Sequence, residues 1–390
     1  MKKEWEIYIH IPFCVKKCAY CDFLSSPQDE KTREQYVDKL IEEIKAHKTY
    51  TVQASDTKVS TIFLGGGTPS ILEARQIIKI FETLRTTFDI AENAEITIEA
   101  NPGTVTTEKL QAYKQCGINR ISFGLQSTNN EELKLLGRIH TYEEFLESFQ
   151  LARECGFENI NVDLISAIPK QTLSSWEETL QKVINLNPEH ISAYSLIVEE
   201  GTPFAKMYGE DCPGEKELPS EEEERAIYYL TEKLLQKAGY HRYEISNYAK
   251  AGQECKHNLG YWERKDYLGL GLGASSLVDN TRFKNTDDLE CYINHASRLN
   301  EIQENVEKLS LQEQMEEFMF LGLRKMEGVS ITEFENIFDK KTDECYGEQI
   351  KILIEQGLLE QKDTRIMLTK QGIDVSNYVF RAFLWEIMTC

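Results

Sequence analysis

Cys14-Val-Lys-Lys-Cys18-Ala-Tyr-Cys21, near the start of a chain of 390 residues, offers three thiols from one short loop. Neither of the two residues that follow is a cysteine or a histidine. A structural zinc site usually has four protein ligands, whereas an iron–sulfur cube takes thiolates at its corners. Three thiolates leave one iron of such a cube open to a small molecule. The spacing favours a [4Fe-4S] cluster on these cysteines over a zinc site completed from elsewhere or three unrelated buried cysteines.

Composition limits the partners and the compartment of the protein. The formal net charge is −21, from 65 acidic and 44 basic residues, and such a balance repels polyphosphate backbones and anionic membrane surfaces. We therefore expect no nucleic-acid partner and no broad membrane attachment. No apolar run approaches the ~20 residues of a membrane span, and the first residues do not have the pattern of a signal peptide. A cytoplasmic protein with reduced thiols is expected.

The first two hundred residues alternate between strand-like and helix-like segments. The strand candidates are Glu6–His10, Ser60–Leu64, Ile96–Ala100, Arg120–Leu125, Asn161–Ile165 and Ile191–Leu196. The amphipathic helix candidates between them include Tyr36–His47, Ile71–Phe88, Phe145–Cys155 and Trp176–Leu186. This alternation is typical of a parallel sheet. Six such units predict an α/β fold with an incomplete (β/α)6 barrel of the TIM type.

Polar or glycine-rich breaks follow the predicted strands. They are the cysteine loop, Gly65-Gly-Gly-Thr-Pro69, Glu99-Ala-Asn-Pro102, Gly124-Leu-Gln-Ser127 and Asp163. The chemistry of parallel barrels lies where strands end and loops begin, so we expect these breaks to form one site. The glycines would let backbone amides approach a ligand. Glu99 and Asp163 are predicted to bind an ammonium or ribose hydroxyls; the alternative is that they cap helices or pair with Arg120 or Arg138.

The strand–helix alternation stops after about residue 205. We therefore expect residues 1–205 to form the partial barrel, 206–300 a connecting α/β region with a glycine-rich turn at Gly269–Gly273, and 301–390 a mainly helical C-terminal region. In that last region, Ile350–Leu359, Ile366–Thr369 and a final helix resemble a winged-helix topology. The acidic balance and the lack of a basic recognition helix favour a capping or docking domain over a DNA-binding one.

His257-Asn-Leu-Gly-Tyr261-Trp262 brings a histidine, an amide and two aromatic rings into six residues. Imidazole can ligate haem iron, and flat aromatic side chains suit a flat macrocycle. The alternative is a polar turn that holds two core aromatics in place. Both interpretations stay open on the sequence alone.

The motifs described so far occur in one order along the chain. They are Tyr8-Ile-His10-Ile-Pro12-Phe13-Cys14-x3-Cys18-x-Tyr20-Cys21, Gly-Gly-Gly-Thr-Pro, Glu99-Ala-Asn-Pro, Phe123-Gly-Leu-Gln126-Ser and His257-Asn-x-x-Tyr261-Trp262. Together they resemble the HemN/HemW family of radical SAM proteins, from near residue 5 to near residue 375. HemN-type members carry a further cysteine two positions after the third ligand, where this chain has Phe23, and the last motif is typical of the HemW type.

The resemblance implies a [4Fe-4S] cluster on the three cysteines, with S-adenosylmethionine at the open iron. It implies contacts of Tyr8, Gly66 and Glu99 with that molecule. The positions that match a second S-adenosylmethionine site in HemN-type proteins are Tyr20, Gly67, Thr68, Gln126, Arg138 and Asp163. It further implies haem binding, in which His257 is a candidate ligand.

Two functions from different classes follow from the resemblance. The first is a haem chaperone that binds haem and passes it to haem-dependent respiratory proteins. The second is a radical SAM enzyme whose 5′-deoxyadenosyl radical acts on coproporphyrinogen III or a related porphyrin. Phe23 in place of the extra cysteine favours the chaperone function, whereas a complete S-adenosylmethionine site is also consistent with the enzyme function. A homodimer controlled by the cluster is a further expectation.

Overall fold

The computed structural model describes residues 3–48 and 57–384. A twelve-stranded sheet runs through it. Its strands are β1 Lys3–Ile11, β2 Thr57–Gly66, β3 Ile90–Ala100, β4 Arg120–Gln126, β5 Ile160–Ser166, β6 His190–Ser195, β7 His241–Arg242, β8 Asn247–Ala249, β9 Tyr267–Leu270, β10 Ser275–Val278, β11 Thr281–Asn285 and β12 Gln303–Lys308. Their order in the sheet is β12-β11-β10-β9-β1-β2-β3-β4-β5-β6-β8-β7. The sheet does not close on itself, because β12 and β7 are its two edges.

The first six strands are parallel and adjacent in chain order. The helices that connect them or follow them as far as β7 are α1 Glu30–Ala46, α2 Ala74–Thr87, α3 Thr107–Gln115, α4 Asn130–Leu135, α5 Tyr142–Glu154, α6 Leu173–Leu186, α7 Pro203–Tyr208 and α8 Glu221–Lys237. The six predicted strands and the four predicted helices are confirmed, although β3 and α1 each begin six residues earlier than predicted. The incomplete (β/α)6 barrel is therefore confirmed.

The two faces of β1 differ in chemistry, as the two-residue period of a strand dictates. Ile7, Ile9 and Ile11 are fully buried in the main hydrophobic cluster, with residues of the surrounding helices. Tyr8 and His10 lie on the other, concave face of the sheet. The helices thus cover the apolar face of the sheet, and the concave face is free to carry polar groups.

Glycines end two of the connecting helices, as the sequence predicted. Gly117 and Gly156 have φ angles of 78° and 83°, and each amide donates to the helix carbonyl three residues earlier. This is the left-handed position after a helix, which favours glycine. The neighbouring Cys116 and Cys155 pack in or against the main core, as expected of small core residues.

The sheet continues beyond the six parallel strands on both sides. On one side β8 pairs antiparallel with β6, and on the other β9 pairs parallel with β1. The predicted glycine turn at Gly269–Gly273 is wrong in its first two residues, which belong to β9. Only glycine fits at Gly269, because a Cβ there would lie 2.2 Å from the carbonyl oxygen of Ser275 on the returning chain.

The C-terminal residues form a separate hydrophobic cluster between Met315 and Phe383. The remaining elements are α9 Lys256–Trp262, α10 Leu289–His295, α11 Leu299–Ile302, α12 Leu311–Gly322, β13 Val329–Ser330, α13 Ile331–Phe338, α14 Thr342–Glu355, β14 Leu359–Lys362, β15 Arg365–Leu368, α15 Lys370–Asp374 and α16 Ser376–Arg381. The mainly helical C-terminal region and its hairpin are confirmed; the division of the chain at residues 205 and 300 stays a prediction. Across the described residues, no helix combines the length and the apolar character that crossing a membrane requires.

Candidate cluster and cofactor site

The cysteine loop leaves β1 at the carboxyl end and is fixed by backbone hydrogen bonds on both sides. The amide of Cys14 donates to the carbonyl of Ser26 at 3.2 Å, and the amide of Ala19 donates to the carbonyl of Leu136 at 3.0 Å. Cys14, Cys18 and Cys21 are free and half-buried. The loop therefore presents three thiols from a backbone that two other segments hold in place.

Polar hydrogens of the protein point at two of the three sulfur atoms. The Thr68 hydroxyl donates to Cys14 Sγ at 3.4 Å, and the Arg138 guanidinium donates to Cys18 Sγ at 3.6 Å. A cation beside a sulfur favours the thiolate, which is the form that binds metal, and hydrogen bonds to cluster sulfurs tune an iron–sulfur centre. These contacts fit cysteines that act as metal ligands.

Within residues 3–48 and 57–384, no three His, Cys, Asp or Glu side chains converge closely enough to hold one metal ion. An iron–sulfur cube does not need that convergence, because each cysteine binds a different iron. Burial raises the pKa of the Cys21 thiol, and the nearby Cys18 and Cys14 raise it further. The three sulfurs are thus close enough for electrostatic interaction between their thiolates.

A cavity of about 280 Å³ opens between the cysteine loop and the carboxyl ends of the parallel strands, and we call it the cluster cavity. Eleven of the predicted cluster and cofactor residues line it: Cys14, Cys18, Tyr20, Cys21, Gly66, Gly67, Thr68, Glu99, Gln126, Arg138 and Asp163. The sequence placed these residues at the ends of different strands. Parallel pairing brings them to one edge of the sheet.

Glu99 and the glycine loop form one wall of the cluster cavity. The amide of Gly66 donates to Glu99 Oε2 at 3.1 Å. Burial and the neighbouring Asp163 together raise the pKa of Glu99 to about 8. Glycine is required at residue 66, where φ is 105° and a Cβ would lie 2.4 Å from the His10 ring. A cationic group bound here would favour the ionised form of Glu99.

Asp163 lies on β5 and lines the same cavity. Its carboxylate accepts hydrogen bonds from the Ser122 hydroxyl and from Asn161 Nδ2, both at 2.8 Å. Burial raises its pKa, although these hydrogen bonds act in the opposite direction. Asp163 therefore caps no helix, and Arg120 influences it through charge alone.

Arg138 and Gln126 are held in place inside the site. Two N–H groups of Arg138 donate to Asn101 Oδ1 and to the Gly124 carbonyl, each at 2.6 Å. Gln126 is 6% exposed and has a φ angle of 73°. Its Oε1 atom has no hydrogen-bond partner. A buried amide oxygen without a partner is costly, so a ligand that donates a hydrogen bond fits this position.

These residues fit a cube on the three cysteines and an amino acid-bearing nucleoside beside it. Donors lie at two sulfurs, carboxyl groups with raised pKa values face the cavity, and one buried acceptor has no partner. If bound, a reduced cluster with S-adenosylmethionine would supply one-electron radical chemistry. The protein's contribution is to position the two groups and to limit water around them.

Tyr8 does not line the cluster cavity. Its hydroxyl lies 2.9 Å from His10 Nδ1, and His10 Nε2 lies 2.8 Å from the carbonyl oxygen of Leu24, just after the cysteine loop. Tyr8 and His10 line a neighbouring cavity instead. A contact between Tyr8 and S-adenosylmethionine stays a prediction.

His257 lies on α9, away from the cluster cavity, and its ring is buried. Nδ1 lies 2.7 Å from the Thr61 hydroxyl and Nε2 lies 2.9 Å from the Tyr261 hydroxyl. The ring stacks on Phe63, with centroids 5.2 Å apart. Burial lowers the pKa of His257 to about 3, and Arg120 contributes in the same direction. A haem iron could reach this imidazole only after one of the two hydrogen bonds was broken.

Sequence reasoning missed two residues of the site. Asn101 donates to the Thr68 hydroxyl at 2.9 Å and accepts from Arg138, so it links the donors of two cysteine sulfurs. His10 packs against Gly66 and ties β1 to the end of the cysteine loop. Both residues stand inside motifs quoted above, but their partners are remote in the chain and give no local signal.

Comparisons with known proteins agree with this site. Residues 8–183 match the Radical SAM superfamily, and residues 309–375 match the HemN C-terminal domain. The solved structure of coproporphyrinogen III oxidase (HemN) from Escherichia coli, described as a radical SAM enzyme, superposes with a TM-score of 0.84 at 25% identity, over 98% of this chain and 90% of that one. The fold and the cysteine site therefore define a radical SAM protein.

Full-length relatives give the family within that class. The haem chaperone HemW of Lactococcus lactis is 38% identical over 99% of both chains. The haem chaperone HemW of Bacillus subtilis is also 38% identical, over 97% of this chain and 99% of the relative. The chain belongs to the HemW family.

Replacing His257 with alanine is expected to destabilise the fold by about 2–4 kcal/mol, because a buried cavity forms and two hydroxyls lose their partner. Urea unfolding of the cluster-free protein measures this loss. His241→Ala is the matched control, since the His241 side chain is 46% exposed and pairs with Glu254. Equal midpoints for the two variants would contradict the packing role.

Replacing Glu99 with glutamine is expected to stabilise the cluster-free protein more at pH 8 than at pH 5. Burial raises the folded-state pKa of Glu99 to about 8. The neutral carboxyl therefore makes its full contribution to the free energy of unfolding below about pH 4.5, and this contribution is lost as the pH rises through 8. Between pH 5 and pH 8 the difference in free energy of unfolding between variant and wild type should grow by on the order of 3 kcal/mol.

Denaturant unfolding at the two pH values tests this pH dependence. Glu92→Gln is the control, because Glu92 is an exposed residue of the same strand. A gap between Glu99→Gln and wild type that does not change with pH would contradict the raised pKa.

Proposed function

We propose that this protein is a haem chaperone that carries a [4Fe-4S] cluster and binds S-adenosylmethionine. The observation that carries the proposal is the 38% identity to haem chaperones over nearly the whole length of both chains. Its place of action would be the cytoplasm. Its acceptors would be haem-dependent respiratory proteins.

Cys14, Cys18 and Cys21 would hold the cluster. The support is their common loop, the donors at two of the sulfurs, and the match of the surrounding residues to the Radical SAM superfamily. Arg138 would balance part of the negative charge of a thiolate-bound cluster, since its guanidinium reaches Cys18. Thr68 would stabilise the Cys14 thiolate by donating a hydrogen bond.

Gly66 and Glu99 would hold S-adenosylmethionine at the open iron. The bare backbone of the glycine loop admits an amino acid moiety, and the Glu99 carboxyl meets its cationic charge. A second place for this molecule would involve Tyr20, Gly67, Thr68, Gln126, Arg138 and Asp163, which line the same cavity. Among them, Gln126 offers the buried acceptor that has no partner.

The chemistry near the mouth of the cavity favours a chaperone over a porphyrinogen-oxidising enzyme. HemN-type members have a cysteine where this chain has Phe23. The Phe23 side chain is 62% exposed and lines the cluster cavity together with Ile197, which is 69% exposed. The mouth of the cavity would therefore offer apolar side chains to a ligand, where HemN-type members offer a thiol.

A radical enzyme acting on a porphyrinogen is the second candidate. The superposition on coproporphyrinogen III oxidase, with a TM-score of 0.84, favours it, as does the complete set of cofactor positions in the cavity. Formation of 5′-deoxyadenosine together with turnover of coproporphyrinogen III would support the enzyme. A homodimer that depends on the cluster is a further part of the proposal, and size-exclusion chromatography with and without cluster tests it.

Replacing Cys18 with serine is expected to abolish cluster assembly, because a hydroxyl is a poor substitute for a thiolate on iron. Reconstituted wild type should hold about four iron atoms per chain, and the variant close to none. Cys212→Ser is the matched control, since Cys212 is half-buried and its thiol contacts backbone carbonyls of Ala205 and Lys206 instead. Equal iron and sulfide contents in the two variants would contradict the cluster assignment.

Ferric haem is expected to bind the cluster-reconstituted protein with saturation near one per chain. Anaerobic gel filtration followed by the pyridine haemochrome assay counts the bound haem without interference from cluster absorption. His257→Ala should bind less haem only in proportion to its loss of folded protein, if the imidazole acts through packing. If wild type shows no saturable binding, the chaperone function fails and the radical enzyme becomes the leading candidate.

A further inference from the structure

A second cavity, of about 430 Å³, lies on the concave face of the sheet beside the cluster cavity. We call it the arginine cavity. Its walls come from β1, α9, the β9–β11 segment and α12, and the lining residues used below are Tyr8, His10, Tyr261, Arg264, Tyr267 and Arg282. The cluster site makes no use of it. Its volume lies in the range of small-molecule sites.

Two guanidinium groups enter the arginine cavity and share a single carboxylate. Arg264 Nε donates to Glu317 at 2.7 Å, and Arg282 binds the other oxygen of the same carboxylate. One terminal nitrogen of Arg264 is buried and has no hydrogen-bond partner. The excess of positive charge is notable because the whole chain carries −21. Guanidinium groups bind carboxylates with two parallel hydrogen bonds, so this cavity suits a carboxylate ligand.

Arg264 occupies a backbone position that rarely accepts such a residue. Its φ angle is 57°, and it follows the end of α9, where the amide of Lys265 donates to the carbonyl of Gly260. Glycine is the preferred residue at this left-handed position. A non-glycine residue there costs on the order of 1 kcal/mol. The Arg264 side chain is only 11% exposed, so this strained backbone position directs a cationic side chain into the cavity.

Most of the remaining lining is aromatic or apolar, and His10 and Ser275 are its other polar members. Tyr261 and Tyr267 meet edge to face, with ring centroids 4.8 Å apart, and Leu277 and Leu321 complete the walls. Such a surface suits a flat aromatic ligand. The hydroxyl of Tyr261 bonds to His257, so the buried histidine of the His-Asn-x-x-Tyr-Trp motif fixes a residue of this wall.

His10 separates the two cavities. Its ring lies so close to Gly66 that a Cβ there would be 2.4 Å away, and Gly66 lines the cluster cavity. The same ring lines the arginine cavity. A ligand in the arginine cavity would therefore lie one side chain away from the glycine loop of the cofactor site.

We propose that the arginine cavity is the haem site of this protein, with the macrocycle against Tyr261 and Tyr267 and the two propionate carboxylates at Arg264 and Arg282. This proposal rests on the proposed haem-chaperone function and names its binding site.

The test compares haem binding by the full-length, cluster-reconstituted wild type with that of two variants. Arg282→Gln removes one carboxylate partner while Arg264 still pairs with Glu317, and the Arg282 side chain is 44% exposed. Ser275→Trp fills the cavity from an exposed residue of its wall. Arg298→Gln is the matched control, since Arg298 is a half-exposed arginine paired with Glu301 outside the cavity. Thermal midpoints establish that each variant is folded.

The two probes are ferric haem and its dimethyl ester, in which both carboxylates are blocked. Each is titrated into the protein under anaerobic conditions, with bound haem counted as above. Arg282→Gln should weaken haem binding about ten-fold, the typical effect of losing one charge-assisted hydrogen bond, and should leave binding of the ester unchanged. Ser275→Trp should weaken both probes, and Arg298→Gln neither.

The outcomes separate the site from the function. If wild type saturates with haem and both cavity variants match it, haem binds elsewhere and the inference is overturned while the chaperone function stands. If Arg282→Gln weakens haem and ester equally, the arginine only supports the fold and the carboxylate contact is overturned. If wild type binds no haem, the proposed function and its site fail together.

Discussion

The parallel pairing of β1 with β2 is the constraint on which the site depends. Its register sets His10 opposite Gly65 and Ile11 opposite Gly66, and the amide of Gly67 donates to the Ile11 carbonyl at 2.9 Å. The cysteine loop leaves the end of β1 at this point, so the glycine loop and the thiols share one edge. A Cβ at Gly67 would lie 2.6 Å from the carbonyl oxygen of Phe13. Close backbone approach, more than side-chain choice, fixes where a cofactor could sit.

The sequence predicted the barrel and the cluster cavity because their signals are local. Alternating apolar strands and amphipathic helices define parallel units, and parallel units bring the following loops together. Glu99, Gln126 and Asp163 could be placed by this rule alone, although they are separated by as many as 64 positions in the chain. The partners Gly66 of Glu99 and Ser122 of Asp163 could not be predicted, because each lies on another strand.

The sequence was less informative about α9 and the outer strands. The six residues from His257 to Trp262 have the composition of a ligand site. The position of the His257 ring, however, is decided by Thr61 on β2 and by the ring of Phe63. Gly260 packs so closely on Glu6 that a Cβ would lie 1.9 Å from its carboxylate. Such long-range packing has no periodic signature. Tyr8, one of the predicted contacts, lines a different cavity from the other predicted contacts.

The pairing of β9 with β1 has a consequence for how the chain reaches this structure. Strand β1 begins at Lys3, but its second neighbour begins only at Tyr267. During synthesis the edge of β1 that pairs with β9 therefore stays open until β9 has been made. Open strand edges invite pairing with other chains, and contacts of such long sequence separation form slowly. The thiols that would receive the cluster are thus made well before β9, the strand that covers this edge of β1.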